Sequence, residues 1–79
     1  MYVYLIESKK NPGKHYVGIT GDLIKRLQYH NSGKSPYTAK YAPWRIVVSI
    51  WFEDEAKARA FERYLKDGSG HTFLKKHFL

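Results

Sequence analysis

Two strand-like segments on either side of one turn constrain this chain most. Tyr2-Val3-Tyr4-Leu5-Ile6-Glu7 is rich in β-branched and aromatic residues, the types that suit a pleated, half-buried surface. His15-Tyr16-Val17-Gly18-Ile19 reads the same way, and Asn11-Pro12-Gly13 between them is a strong turn signal. An antiparallel hairpin is the simplest arrangement of two strands so joined. A third segment, Trp44 to Phe52, is the clearest strand in the chain. The expected frame is therefore a three-stranded antiparallel sheet.

Helical patterns fill the intervals. Thr20-Gly21-Asp22 offers capping side chains, and a helix is expected over 22–31, with Leu23 and Leu27 on one face and Asn31-Ser32-Gly33 as its stop. Residues 32–43 are polar, carry Pro36 and Pro43, and leave room for a short helix around Tyr37 to Lys40. Asp54 can cap a second helix over 54–66, whose inner face would be Ala58, Phe61 and Leu65. Asp67-Gly68-Ser69-Gly70 reads as its end, and Phe73, Leu74 and Phe78 give the tail a short packing helix. The order is β-β-α-β-α-α, an α+β fold in which each apolar helix stripe needs the sheet to cover it. A single domain over residues 1–79 is expected.

Composition narrows the function. The chain has 79 residues and no cysteine, which removes disulfides, thiolate zinc sites and cysteine nucleophiles. Hydrophobic residues at 43% and aromatics at 16% argue against disorder. Nothing is apolar enough to span a membrane, and the first residues lack the basic leader of a signal peptide, so the expectation is a soluble cytoplasmic protein. Lys and Arg number 14 against 7 Asp and Glu, a net charge of +7. Such an excess points to anionic partners, nucleic acid above all, without choosing between DNA, RNA and anionic lipid. Lys34, Tyr37, Lys40, Tyr41, Trp44 and Arg45 interleave cations for phosphates with rings for bases, although the same rings can simply plug a sheet edge.

Few residues have the makings of chemistry. Arg26 and His30, four apart, fall on the same side of the first helix as Leu23, with His30 near the buried stripe and Arg26 at its border. Tyr4 and Tyr16 come from the two hairpin strands and serve equally well as packing or as phenols beside a phosphate. Glu62 borders the apolar face of the second helix, and a lone carboxylate at a cleft can hold Mg²⁺ alongside waters and a substrate phosphate. No second carboxylate has an obvious place beside it, which argues against a two-metal cluster. His71 and His77 have no metal-ligand spacing.

Taken in order, Tyr2-Val3-Tyr4, Tyr16-Val17-Gly18, Thr20, Asp22-Leu23, Lys25-Arg26-Leu27 and His30-Asn31 resemble the GIY-YIG nuclease domain. The resemblance is greatest to the small stand-alone bacterial branch related to the N-terminal nuclease domain of excinuclease C. It continues through Thr38, Pro43-Trp44, Ala58, Phe61-Glu62, Leu65-Lys66, Gly68-Ser69-Gly70 and Phe73. Tyr2 stands where the first motif has glycine, and Ile19 where excinuclease members carry lysine.

The resemblance implies hydrolysis of DNA phosphodiester bonds with one Mg²⁺ or Mn²⁺. Tyr4, Tyr16, Arg26, His30 and Glu62 would be catalytic, Glu62 as the metal ligand. Lys34, Thr38, Lys40, Arg45 and Lys66 are the expected nucleic-acid contacts. Two other readings stand beside it: a non-catalytic nucleic-acid-binding module, and a nuclease component that depends on a protein partner for specificity. Retention of the acidic residue with the other four favours the nuclease.

Overall fold

The computed structural model describes residues 1–79. The elements are β1 (Tyr2–Ser8), β2 (His15–Thr20), α1 (Leu23–Asn31), α2 (Pro36–Ala39), β3 (Trp44–Trp51), α3 (Glu55–Lys66) and α4 (Gly68–His77). The three strands form one antiparallel sheet in the order β2-β1-β3, as the sequence led us to expect. No helix is long and apolar enough to cross a membrane.

β1 is the central strand, which explains why Val3, Tyr4, Leu5 and Ile6 are all buried without alternation. A strand covered on both faces reads as a continuous apolar run. Val3 and Leu5 face a core shared with Val17, Ala58, Leu65 and Leu74, so α3 and α4 lie on that side. Tyr4 and Ile6 face the other side, with Trp44 and the partly buried Leu23, Leu27 and Tyr16 around them.

β3 departs from simple pairing. Ile6 pairs with Ile46 but Leu5 pairs with Val48, so Val47 is the extra residue of a bulge. Side chains before and after it switch faces. Ile46 joins the Tyr4 side, whereas Val47 and Val48 pack against the α3–α4 core. Trp51 then meets Tyr2 edge to face, with ring centroids 4.9 Å apart.

α1 starts as expected: the Asp22 carboxylate accepts the Lys25 N–H at 3.1 Å. Its last residue has a second duty. Asn31 Oδ1 accepts the Trp44 N–H at 2.6 Å, and its Nδ2 donates to the Trp44 carbonyl at 3.3 Å. The end of α1 is thereby fastened to the start of β3. The short helix expected near Tyr37 is α2, with Pro36 in its first turn, a position that tolerates a missing N–H.

Gly68-Ser69-Gly70 is not a loop. α3 ends at Lys66 and α4 begins at Gly68, with Asp67 between them. A Cβ on Gly70 would lie 1.7 Å from the Tyr64 carbonyl oxygen. The glycine serves close approach of two helices rather than a stop.

Candidate active site

On the α1 side of the sheet, three polar side chains are threaded through the core. Tyr4 Oη lies 2.8 Å from His30 Nε2, and His30 Nδ1 lies 2.9 Å from Thr38 Oγ1. The Thr38 carbonyl in turn accepts the Trp44 indole N–H at 2.7 Å. All four residues are buried, and no buried side-chain polar atom lacks a partner. The set is satisfied when the Tyr4 hydroxyl donates to Nε2 and the Nδ1–H donates to Thr38.

Gly18 makes room for this arrangement. It pairs with Tyr4 across the sheet, and the Tyr4 ring lies directly over it. A Cβ there would sit 2.3 Å from Tyr4 Oη and 2.4 Å from Cζ.

Burial sets the charge state of the pair. It pushes the Tyr4 phenol well above its ordinary value; Tyr16 adds to the rise, Arg26 opposes it and Glu62 reinforces it. Burial also pushes His30 below its ordinary value, and the Arg26 charge pushes it further. At neutral pH the Tyr4–His30 pair is therefore uncharged.

Tyr16 is the outer phenol. Its ring centroid is 6.4 Å from that of Tyr4, 5.0 Å from His30 and 6.2 Å from Tyr37. It is only partly buried, whereas Tyr4 retains 3% of its accessible surface.

Charges stand on the two rims. Arg26 is exposed on α1, its guanidinium 5.6 Å from the Tyr29 ring centroid, and it joins none of the four ion pairs in the molecule. Its charge is nevertheless felt at both Tyr4 and His30. On the other rim Glu62 extends from α3, its side chain 15% exposed, and Lys66 Nζ lies 2.5 Å from its Oε2. The same ammonium lies 5.7 Å from the Tyr16 ring centroid. α3 packs on the opposite face of the sheet, so Lys66 reaches Tyr16 round the free edge of β2.

Of the five expected catalytic residues, His30 is hydrogen-bonded to Tyr4, the Tyr16 ring lies beside both, and Arg26 and Glu62 are near enough for their charges to act on Tyr4. The expected nucleic-acid contacts divide. Lys66 is at the cleft, and Lys34 and Lys40 are exposed on the α1–α2 side. Thr38 is a correction: it is fully buried and orients His30, so it cannot meet a phosphate. Arg45 stands apart from the cleft: it is exposed and paired with Glu7, which also holds His15 at 3.0 Å. Glu7 follows Val3 and Leu5 in alternation, so this cluster faces away from Tyr4. Hydrogen bonds from Arg45 and His15, with their charges, outweigh the burial that opposes them and hold the Glu7 carboxyl below its ordinary value. Trp44 is a core residue rather than a platform for bases. Asn31 was legible only as a helix stop; its adjacency to His30 gave no sign that it clamps β3.

Nowhere do three His, Cys, Asp or Glu side chains converge. Glu62 is a lone hard-oxygen donor with a cation, Lys66, already seated on it. That donor set suits Mg²⁺ or Mn²⁺, which take one protein carboxylate and leave other positions to water and phosphate.

Two tyrosines, an arginine, a histidine and a single carboxylate thus stand close together about one three-stranded sheet. Over residues 1–76 the chain matches the GIY-YIG catalytic domain, and it belongs to that family of nuclease domains. It is 35% identical over 66 residues to a UPF0213 protein of Streptococcus pneumoniae, covering 82% of this chain and 65% of that one. With the UPF0213 protein SAG0778 of Streptococcus agalactiae it shares 31% identity over 80 aligned positions, covering 96% of this chain and 89% of the relative. It is also 32% identical over 65 residues to a structure-specific endonuclease subunit SLX1 homolog of Giardia intestinalis, covering 77% of this chain but 18% of that protein. The chain thus spans less than two thirds of the pneumococcal protein and under a fifth of the Giardia one. No solved structure matches.

Proposed function

We propose that this protein is a divalent-metal-dependent endonuclease that hydrolyses DNA phosphodiester bonds at branched or otherwise irregular sites. The observation that carries this reading is the cleft itself, an uncharged Tyr4–His30 pair beside Tyr16 with Arg26 on one rim and Glu62 on the other. A non-catalytic binder has no use for a carboxylate at that point.

The residues divide the work by position. Arg26 is unpaired and permanently charged, so it is free to clamp a non-bridging phosphate oxygen with two parallel N–H groups. Tyr16 is the phenol that substrate can reach, which makes it the group that positions the attacking water. Tyr4 is too deeply buried to meet substrate, and its hydroxyl instead fixes the His30 ring against Tyr16. Glu62 would hold the ion, which supplies charge neutralisation at the phosphate and leaving oxygen when bound. Lys66 adds a second cation at that rim.

A second reading draws on one relative: the Giardia protein is named as a subunit of a structure-specific endonuclease. On that reading this domain supplies the cleaving site and a protein partner supplies the choice of DNA.

Cleavage of plasmid and branched DNA with Mg²⁺, Mn²⁺ or EDTA tests the proposal. Glu62→Gln keeps the shape and removes the charge, so turnover should collapse while folding and DNA affinity persist. Full cleavage by Glu62→Gln, or in excess EDTA, would refute the metal role.

A further inference from the structure

We infer that the groove along the free edge of β2 seats an unpaired nucleobase of the DNA, next to the phosphate held in the cleft. The inference rests on the nuclease reading for its location and deepens it by naming the feature of the substrate that is recognised.

The groove has a volume of about 430 Å³, within the range of small-molecule sites. Val17, Leu65 and Leu74 form its apolar floor, Tyr16 and Tyr37 form its aromatic wall, and Lys66 stands where it meets the cleft. Tyr16 and Lys66 thus belong to both places. A strand whose phosphate lies between Arg26 and Glu62 would bring the neighbouring nucleotide to this opening.

Tyr37 is the informative residue. It is 55% exposed, yet it is not a loose surface ring. It projects from α2, whose next residue, Thr38, is fully buried and bonded to both His30 and Trp44. The ring is therefore presented on a fixed support, so little mobility is lost when something stacks on it. It continues an array, with centroids 6.2 Å from Tyr16 and 5.9 Å from Tyr41.

Cations line the same array. Lys66 Nζ lies 5.7 Å from the Tyr16 ring centroid, while Lys14 and Lys40 lie 5.4 and 5.6 Å from that of Tyr41. Rings flanked by ammonium groups, on a chain of net charge +7, suit a base with its phosphates better than an apolar peptide. The occupant must also be unpaired. Bases in a duplex stack on each other and show only their edges, so a tyrosine face is of use only to a base that has left the stack.

The test reads binding rather than turnover. Full-length protein is titrated in EDTA against two DNAs of equal length, a blunt duplex and a duplex with a single-stranded flap. The first unpaired position of the flap carries 2-aminopurine. Stacking on Tyr37 should quench its fluorescence. Tyr37→Ala should relieve the quench and weaken flap binding about ten-fold, the order expected for one lost stacking contact. Its affinity for the blunt duplex should change by less than about two-fold. Tyr37→Phe should behave as wild type, and the exposed position leaves melting unchanged. Absence of quenching, or equal loss on both DNAs, would overturn the inference. So would a dimer in light scattering that Tyr37→Ala dissociates, since the groove would then be filled by a second copy. Quenching by a protein that cleaves nothing with Mg²⁺ or Mn²⁺ would uphold the groove and refute the nuclease. Cleavage without quenching would do the reverse.

Discussion

Gly18→Ala adds one methyl group, and its cost can be worked from the sheet. The new Cβ would fall 2.3, 2.4 and 2.9 Å from Oη, Cζ and Cε1 of Tyr4. These are atoms of a rigid ring rather than the end of a flexible chain. β1 cannot retreat, because it is paired on both edges and covered on both faces. The Tyr4 ring must therefore swing away, and its 2.8 Å bond to His30 Nε2 goes with it. Overpacking of a core costs about 1–3 kcal/mol, and a buried acceptor left unpaired costs about 1–3 kcal/mol. The two overlap, since moving the ring relieves the clash as it breaks the bond, so the total should be about 2–4 kcal/mol. At roughly 4–8 °C per kcal/mol for a domain of this size, melting should fall by roughly 10–30 °C. A domain of this length has about 4–12 kcal/mol in all, so cleavage is normalised to the folded fraction measured at the assay temperature. Single-turnover cleavage per folded molecule should also drop, because His30 loses the partner that aligns it. Gly21→Ala is the control: nothing lies within 4 Å of its Cβ, and melting should not move. Wild-type melting and cleavage in Gly18→Ala would refute the close approach and the role assigned to Tyr4 with it.

Arg26→Ala should abolish most single-turnover cleavage with melting shifted by under about 1 °C, since the side chain is exposed and unpaired; Arg26→Lys should also fail, because a point charge lacks the planar fork. Tyr16→Phe should lose far more turnover than Tyr4→Phe, whereas Tyr4→Phe should lose more stability, about 1–3 kcal/mol, by leaving His30 Nε2 unpaired; equal effects on turnover would contradict the division into outer and inner phenols. Stability should fall with acid in two windows. The folded His30 pKa lies below that of the unfolded chain, so the unfolded state takes up the proton first. The His30 contribution is thus complete above about pH 6.5 and is lost as pH falls through the folded value, with a slope of at most about 1.4 kcal/mol per pH unit. Glu7, also lowered, should matter only below pH 4.5, where acid neutralises the carboxylate between Arg45 and His15. Urea titrations from pH 8 to pH 3 would check both windows, and a flat profile between pH 7 and 5 would contradict the burial of neutral His30.

The sheet and its two faces were legible because they follow from local pattern. Tyr2 to Glu7 and His15 to Ile19 are β-rich, and Leu23 with Leu27 marks the inward face of α1. The gathering of Tyr4, Tyr16, Arg26, His30 and Glu62 was legible only through resemblance to a family, since the residues are spread over two strands and two helices. What stayed hidden depends on register and on partners distant in sequence. The bulge at Val47 has no mark in the run Ile46-Val47-Val48, which is apolar on any pairing. Thr38 is polar in a polar segment, and only the closure of α2 over α1 takes it out of water. Arg45 is a surface cation by composition, and only the pairing of β3 with β1 sets it opposite Glu7. Gly70 disfavours an isolated helix, but its close packing against Tyr64 outweighs propensity here.

The distribution of charge explains how one small domain can hold both a stable core and a phosphate site. Desolvation is what makes an interior charge costly, and the residues taken into the interior, Tyr4, His30 and Thr38, all satisfy one another while neutral. Of the charges the reaction needs, Arg26 is solvated at the surface, and the largely covered Glu62 is matched by Lys66. A solvated charge such as Arg26 contributes little to folding. Arg26→Ala and the isosteric Glu62→Gln should therefore register in cleavage above all, and interior substitutions in melting first and cleavage second. A variant of Arg26 or Glu62 that melted early, or of Thr38 that did not, would break this separation.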